Sequence, residues 1–249
     1  MKRKHLVAAG TIAFLLTFIA QAPAGALYAW LAPKAAKVEL FGVDGTLLHG
    51  SVAGIGVQGR PAWQELHWTL HPLGLLTARV LADFETSTPA VVRGRVSLAP
   101  WGTSLGDVRA SGSARTLFSA VGQGFLPIEG QVSADLQSLR LKDGKAASVE
   151  GVINVEGLSW TLAKDPIVLG NFRGTATTDA GKITLKIESI SGPIDASGNV
   201  DVDADQAYNV DLKIKVKPGS PPMVQNLVQS LGAPDAQGFY HVLRKGKLT

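Results

Sequence analysis

Residues 182–187 read Lys182-Ile183-Thr184-Leu185-Lys186-Ile187, with polar and apolar side chains in strict alternation. A period of two puts every second side chain on one face of an extended chain, so the stretch specifies a β-strand with one buried and one wet face. Working outward, Lys37-Val38-Glu39-Leu40, Arg79-Val80-Leu81-Ala82-Asp83-Phe84 and Gln131-Val132-Ser133-Ala134-Asp135-Leu136 alternate in the same way. Turn formers stand between such runs: Asp44-Gly45, Asp143-Gly144, Asp179-Ala180-Gly181 and Ser191-Gly192-Pro193. Alternating runs joined by local turns of this chemistry predict antiparallel β-structure.

The clearest hairpin joins Val200-Asp201-Val202-Asp203-Ala204-Asp205 to the run Val210–Lys217. Setting Asp203 against Lys213 and Asp201 against Lys215 pairs Val202 with Ile214, which gives one charged face and one aliphatic face. The spacing Asp201-x-Asp203-x-Asp205 opens like a calcium loop. An EF-hand loop then needs Gly at its sixth position and Glu at its twelfth, where this chain has Gln206 and Leu212, so the acidic residues read as the solvated side of a strand. One helix is expected after Ser220-Pro221-Pro222, with Met223, Val224, Leu227, Val228 and Leu231 as its apolar stripe and Gly232 at its stop. It should cover one end of the sheet. A shorter helical piece is expected over Arg115–Val121, before Gly122.

The first 33 residues differ in kind. Lys2, Arg3, Lys4 and His5 precede an apolar run, Leu6–Ala20, and no Asp, Glu, Lys or Arg occurs from Leu6 to Pro33. About 20 apolar residues span a bilayer, and a basic flank before the span with Tyr28 and Trp30 after it suits a start in the cytoplasm. The small residues Ala22, Ala24 and Ala26 also offer signal-peptidase sites. Both readings export the remainder.

Composition excludes several functions. The 249 residues include no cysteine, so disulfides, zinc–thiolate sites, iron–sulfur clusters and thiol nucleophiles are absent. Of the formal charge of +4, Lys2, Arg3 and Lys4 supply three, which leaves +1 for residues 34–249. That is too little for a nucleic-acid footprint. Among the histidines, His67 and His71 lie on one alternating run, Leu66-His67-Trp68-Thr69-Leu70, before Pro72. Four residues of strand separate them by roughly 13 Å, too far to share a metal. His49 and His241 have no cysteine to join. Gly54, Gly56 and Gly59 match G-x-G-x-x-G, but Arg60-Pro61 and another strand pattern follow where a dinucleotide site needs a helix. No nucleotide loop, nucleophile elbow or paired carboxylate set stands out, and Trp68 reads as an anchor of the strand core. No catalytic, cofactor-binding or metal residue is assigned.

Four segments carry a resemblance: Gly45-Thr46-Leu47-Leu48-His49-Gly50-Ser51, Leu66-His67-Trp68-Thr69-Leu70-His71-Pro72-Leu73-Gly74-Leu75-Leu76, Leu231-Gly232-Ala233-Pro234-Asp235 with Gly238-Phe239-Tyr240, and Gly246-Lys247-Leu248. Their order and spacing resemble the type II secretion system protein N family, with Leu48 where the first element usually has an aromatic. The resemblance implies a non-enzymatic accessory part of the Gram-negative protein-secretion machine, without cofactor, single-pass in the inner membrane with its C-terminal domain in the periplasm. Its expected partners are other secretion components and membrane lipids, with no nucleic acid and no nucleotide. The expected architecture is mainly β: residues 1–5 a cytoplasmic start, 6–32 a transmembrane helix, and 33–249 an elongated, twisted antiparallel sheet domain with one or two short helices. The β-rich plan also resembles AsmA-like lipid-handling proteins, whose apolar sheet face forms a groove for acyl chains.

Overall fold

In the computed structural model the described residues are 21–26, 38–57, 60–120, 126–162 and 165–247. Thirteen strands follow one another in the sheet in the order in which they occur in the chain. The first six are β1 Val38–Gly45, β2 His49–Val57, β3 Arg60–His71, β4 Val80–Thr88, β5 Val91–Ala99 and β6 Gly102–Ser113. They are followed by β7 Ile128–Lys142, β8 Lys145–Trp160, β9 Ile167–Asp179, β10 Lys182–Ser191, β11 Ile194–Val202, β12 Ala207–Val216 and β13 Tyr240–Lys247. Among the described residues, two α-helices, α1 Ala114–Ala120 and α2 Pro222–Gln229, and one 3-10 helix, Pro72–Thr77, interrupt them. The expected β-dominated antiparallel sheet with few, short helices is therefore present among the described residues. Of the expected anchor, only residues 21–26 are described, and no helix among the described residues is long and apolar enough to cross a membrane.

Period-two patterning builds the sheet directly. Along β7 the even-numbered residues from Ile128 to Leu136 are turned inward and the odd-numbered ones outward. The alternation changes phase near Gln137, because a bulge against β8 between Leu136 and Ser138 inserts one extra residue. The Asp143-Gly144 turn closes β7 onto β8 with both residues at positive φ, 52° and 75°, the left-handed pair that a two-residue hairpin requires.

The chain divides into two compact units, one containing β1–β4 with residues 95–100, the other residues 90–94 with the chain from Trp101 onward. In the first unit, Val52 is fully buried, and residues 21–26 lie on the β1–β2 connection: Leu47 N–H donates to the Ala22 carbonyl at 3.1 Å, Pro23 bridges to Thr46, and Ala24 is buried. In the second unit, a closed core sits where α2 meets the sheet. Val224 and Val228 pack there on Ile194 and Ala196, with Ile214, Val216, Phe172 and Tyr240 around them.

Two sequence expectations need correction here. The stripe on α2 is narrower than drawn, since Met223 and Leu231 remain 46% and 45% exposed; eight residues give two turns, enough to bury Val224 and Val228 but not the flanks. The expected pairing of Asp203 with Lys213 and Asp201 with Lys215 is also displaced. In the observed register Asp201 faces Asn209, Ser197 faces Lys213 and Asp195 faces Lys215. The cause is a tighter turn: Asp203 N–H donates to the Ala207 carbonyl at 2.8 Å, Asp205 Oδ1 accepts from Ala207 N–H, and Gln206 takes a φ of 68°. Closing the hairpin at 203–206 slides every pair. The carboxylate of Asp201 meets β10 instead, at Lys182 Nζ (3.0 Å) and Thr184 Oγ1 (2.8 Å), and these hydrogen bonds hold it below the ordinary aspartate range.

Candidate functional site

Three of the four motif segments are built into two closures, one near the first strands and one before the last. In the first, Thr46 N–H donates to the His49 carbonyl at 2.8 Å and the Trp68 indole N–H donates to the Leu47 carbonyl at 3.1 Å. Gly50 pairs with Trp68 across β2 and β3, and a Cβ there would collide with the Trp68 ring carbons Cζ2 and Cη2. The motif therefore reads physically: Gly50 is bare because the indole lies over it, and the indole N–H satisfies a turn carbonyl. Trp68 is the strand anchor the sequence suggests.

The second closure is the loop between α2 and β13. Asp235 Oδ1 accepts from Gln237 N–H (2.9 Å) and Phe239 N–H (2.8 Å), while Oδ2 lies 2.8 Å from His241 Nε2. The His241 contact first, then the Phe239 amide, hold the Asp235 carboxyl below its ordinary 3.8. Gly238 takes a φ of 82° inside this turn. From β12, Lys215 Nζ donates to the Gln237 carbonyl at 2.7 Å and stands 5.1 Å from the centre of the Phe239 ring, within cation–π range. Beside the loop lies a cleft of about 350 Å³ lined by Lys215, Lys217, Gln225, Gln229, Pro234 and Tyr240 among others. Its charged lining is cationic, with amide groups and a phenol, and no carboxylate or histidine lines it among the described residues. Such a lining can hold an anionic or hydrogen-bonding partner; it sets no base beside a nucleophile.

The other residues singled out by sequence lie apart. His67 is exposed on β3, and His71 Nε2 sits 2.7 Å from Asp83 Oδ2, with Arg95 Nε 3.1 Å from the other oxygen. The His71 hydrogen bond is the main cause that holds Asp83 below its ordinary value; burial, next in size, opposes it, and the Arg95 hydrogen bond adds to the lowering. Asp205 turns to Lys247, 3.7 Å away, so the Asp201, Asp203 and Asp205 carboxylates do not converge; among the described residues no group of three His, Asp or Glu side chains could hold a metal ion. Gly54 and Gly56 lie on β2, where a β-strand and not a helix continues, and Gly59 lies outside the described residues. Sequence reading missed the Asp235 latch. The string Pro-Asp-x-x-Gly carries the turn chemistry that announces it, and His241 is six residues away, close enough for the turn to bring back.

A family model described as type II secretion system (T2SS), protein N, matches residues 36–242. No curated protein matches the chain. No solved structure matches it either.

Proposed function

This chain belongs to the type II secretion system protein N family, and from that premise we propose that it is an accessory, non-enzymatic, inner-membrane component that works through protein contacts in the periplasm. The observation that carries this reading is where the family's motifs fall. Gly45–Ser51, Trp68 and the Asp235–Tyr240 segment are occupied in holding loops closed on a sheet, and what is left for contacts is a terminal strand edge and a cleft lined by Lys215 and Lys217. A scaffold of that kind binds partners. Confinement by a membrane segment makes weak contacts sufficient, because it raises the local concentration of the domain near its neighbours.

The anchor reading rests on Leu6–Ala20 and its basic start. Residues 21–26 support retention over cleavage, since Ala22 and Pro23 are bonded to the β1–β2 connection and Ala24 is buried. A protease that needs an extended, accessible chain would first have to pull this segment off. Crosslinking in intact secreting cells from Ser51 or Lys245 tests the contact reading: adducts with other secretion components are expected, and their absence at both sites, with secretion unchanged on deletion of the protein, would refute it.

One observation favours a second reading, a lipid-binding groove. In the second unit α2 covers the sheet near Ile194, Ala196 and Ile214, while Leu136, Ile153, Val155 and Leu185 are only half-buried on their strands. Apolar surface left in that state suits an acyl chain. Native mass spectrometry of the purified protein decides between the two, with co-purifying phospholipid favouring the groove.

A further inference from the structure

The last strand ends the sheet. β13 pairs with β12 at eight positions, from Ala207 facing Lys247 to Ile214 facing Tyr240, and it is terminal in the strand order. An antiparallel edge strand turns alternate N–H and C=O groups away from its one neighbour, leaving a row of main-chain donors and acceptors for another strand. Every residue from Leu243 to Lys247 is exposed, and Leu243 is 60% exposed despite being aliphatic.

Charge is concentrated at this edge. β12 and β13 carry Lys213, Lys215, Arg244, Lys245 and Lys247 against one carboxylate, Asp211, although residues 34–249 as a whole carry only +1. The register sets Arg244 across from Val210, Lys245 across from Asn209 and Lys247 across from Ala207, so none of the three faces a carboxylate on β12. The 3.7 Å pair between Lys247 and Asp205 joins two largely exposed groups and neutralises little.

These features select an occupant. Two β13 strands laid side by side would bring like charges together, which is unfavourable. The β1 edge of a second copy is a poor alternative, because residues 21–26 already lie along its connection to β2. A lipid headgroup or nucleic acid would use the charges and leave the row of backbone groups to water. We infer that β13 is a docking edge for an acidic, extended segment of another protein, which adds as a further strand with carboxylates set toward Arg244 on one face and toward Lys245 and Lys247 on the other. Exposed Leu243, on the face of Lys245, gives that strand an apolar contact. This deepens the contact reading above and rests on it.

The test uses the full-length protein in nanodiscs and a fluorescent extended peptide whose aspartates fall beside Arg244, Lys245 and Lys247 and whose one valine falls beside Leu243. Anisotropy should report saturable binding, weakened at least tenfold by the triple change Arg244→Glu, Lys245→Glu and Lys247→Glu. N-methylation of the peptide's alternate amides should abolish it, and raising salt should weaken it. The matching Gln changes should give an intermediate loss, and unchanged circular dichroism and melting of both variants show that folding is not the cause. Equal binding of the N-methylated peptide, equal binding by the triple Glu variant, or binding of phosphatidylglycerol vesicles or an oligonucleotide in place of the peptide would each overturn the inference. Failure of the peptide while Ser51 still crosslinks to secretion components would remove the edge and spare the contact reading; loss of those crosslinks, with secretion intact on deletion, would remove the contact reading itself.

Discussion

The β1–β2 connection and the loop before β13 are each held shut by one side chain reaching the backbone, but with opposite chemistry. At the first, a neutral indole N–H meets the Leu47 carbonyl and the aromatic ring lies over Gly50. At the second, a carboxylate gathers two amides and an imidazole, and a lysine crosses over to the Gln237 carbonyl and the Phe239 ring. The first closure depends on shape and area, and nothing in the Trp68–Leu47 contact titrates. The second depends on ionisation and sits largely in solvent. The two regions therefore should respond to different perturbations, even though both are written in the same kind of short, Gly-rich motif.

The largest expected effect tests the shape-based closure. Trp68→Ala removes the ring that covers the β1–β2 connection and should cost about 3 kcal/mol in chemical denaturation, whereas Trp68→Phe loses mainly the N–H bond, about 1 kcal/mol. Equal costs for the two would mean that the hydrogen bond, and not the ring, closes the loop.

Next comes the aliphatic support of the charged closure. Val228, on the inner face of α2, is 3% exposed, and Val228→Ala should cost about 2 kcal/mol from lost burial and the cavity left behind. Met223→Ala, on the exposed side of the same helix, should change stability by less than about 0.5 kcal/mol. A reversed ranking would show that α2 docks by a different face.

Acid should separate the two loops. Because the folded Asp235 carboxyl titrates below its ordinary 3.8, the folded state favours the ionised form. Its contribution is complete above that ordinary value and disappears as pH falls through the lower folded one. Hydrogen exchange corrected for intrinsic rates should show the Gln237 and Phe239 amides losing protection over that acid range while the Leu47 amide, bonded to the Ala22 carbonyl, keeps its own. Asp235→Asn should flatten the acid dependence, with a loss of stability smaller than that of Val228→Ala. Persistence of the acid step in that variant would assign it elsewhere, with Asp83 the first candidate because its carboxyl is lowered in the same direction.

The smallest effect is expected at the edge. Lys247→Ala removes only the long exposed pair with Asp205 and should alter stability by less than about 0.5 kcal/mol. A larger loss would mean that β13 is held by its charges, which would bring its chemistry closer to that of the preceding loop than the geometry indicates.

Much of the fold was legible in the residues themselves. Alternation in Gln131–Leu136 and Lys182–Ile187 identified β7 and β10, and Asp143-Gly144 and Asp179-Ala180-Gly181 lie where hairpins turn. The Ser220-Pro221-Pro222 start and Gly232 stop bracketed α2 closely. The β11–β12 register was not legible, because three Asp residues within five positions offered several turns of similar chemistry, and the choice shifted every cross-strand pair. The Asp235 latch was harder still, since its carboxyl must meet two amides and His241 in one small turn.

Sequence alone determined that this chain is mainly antiparallel β with one or two short helices, because periodicity, turn residues and helix ends act over a few neighbouring positions and their preferences are set locally. Only the tertiary structure decided that Asp201 meets Lys182, that Trp68 lies over Gly50 and that five cations share the last two strands. Those outcomes depend on bulges and turn lengths summed along the sheet, where one inserted residue moves every partner that follows.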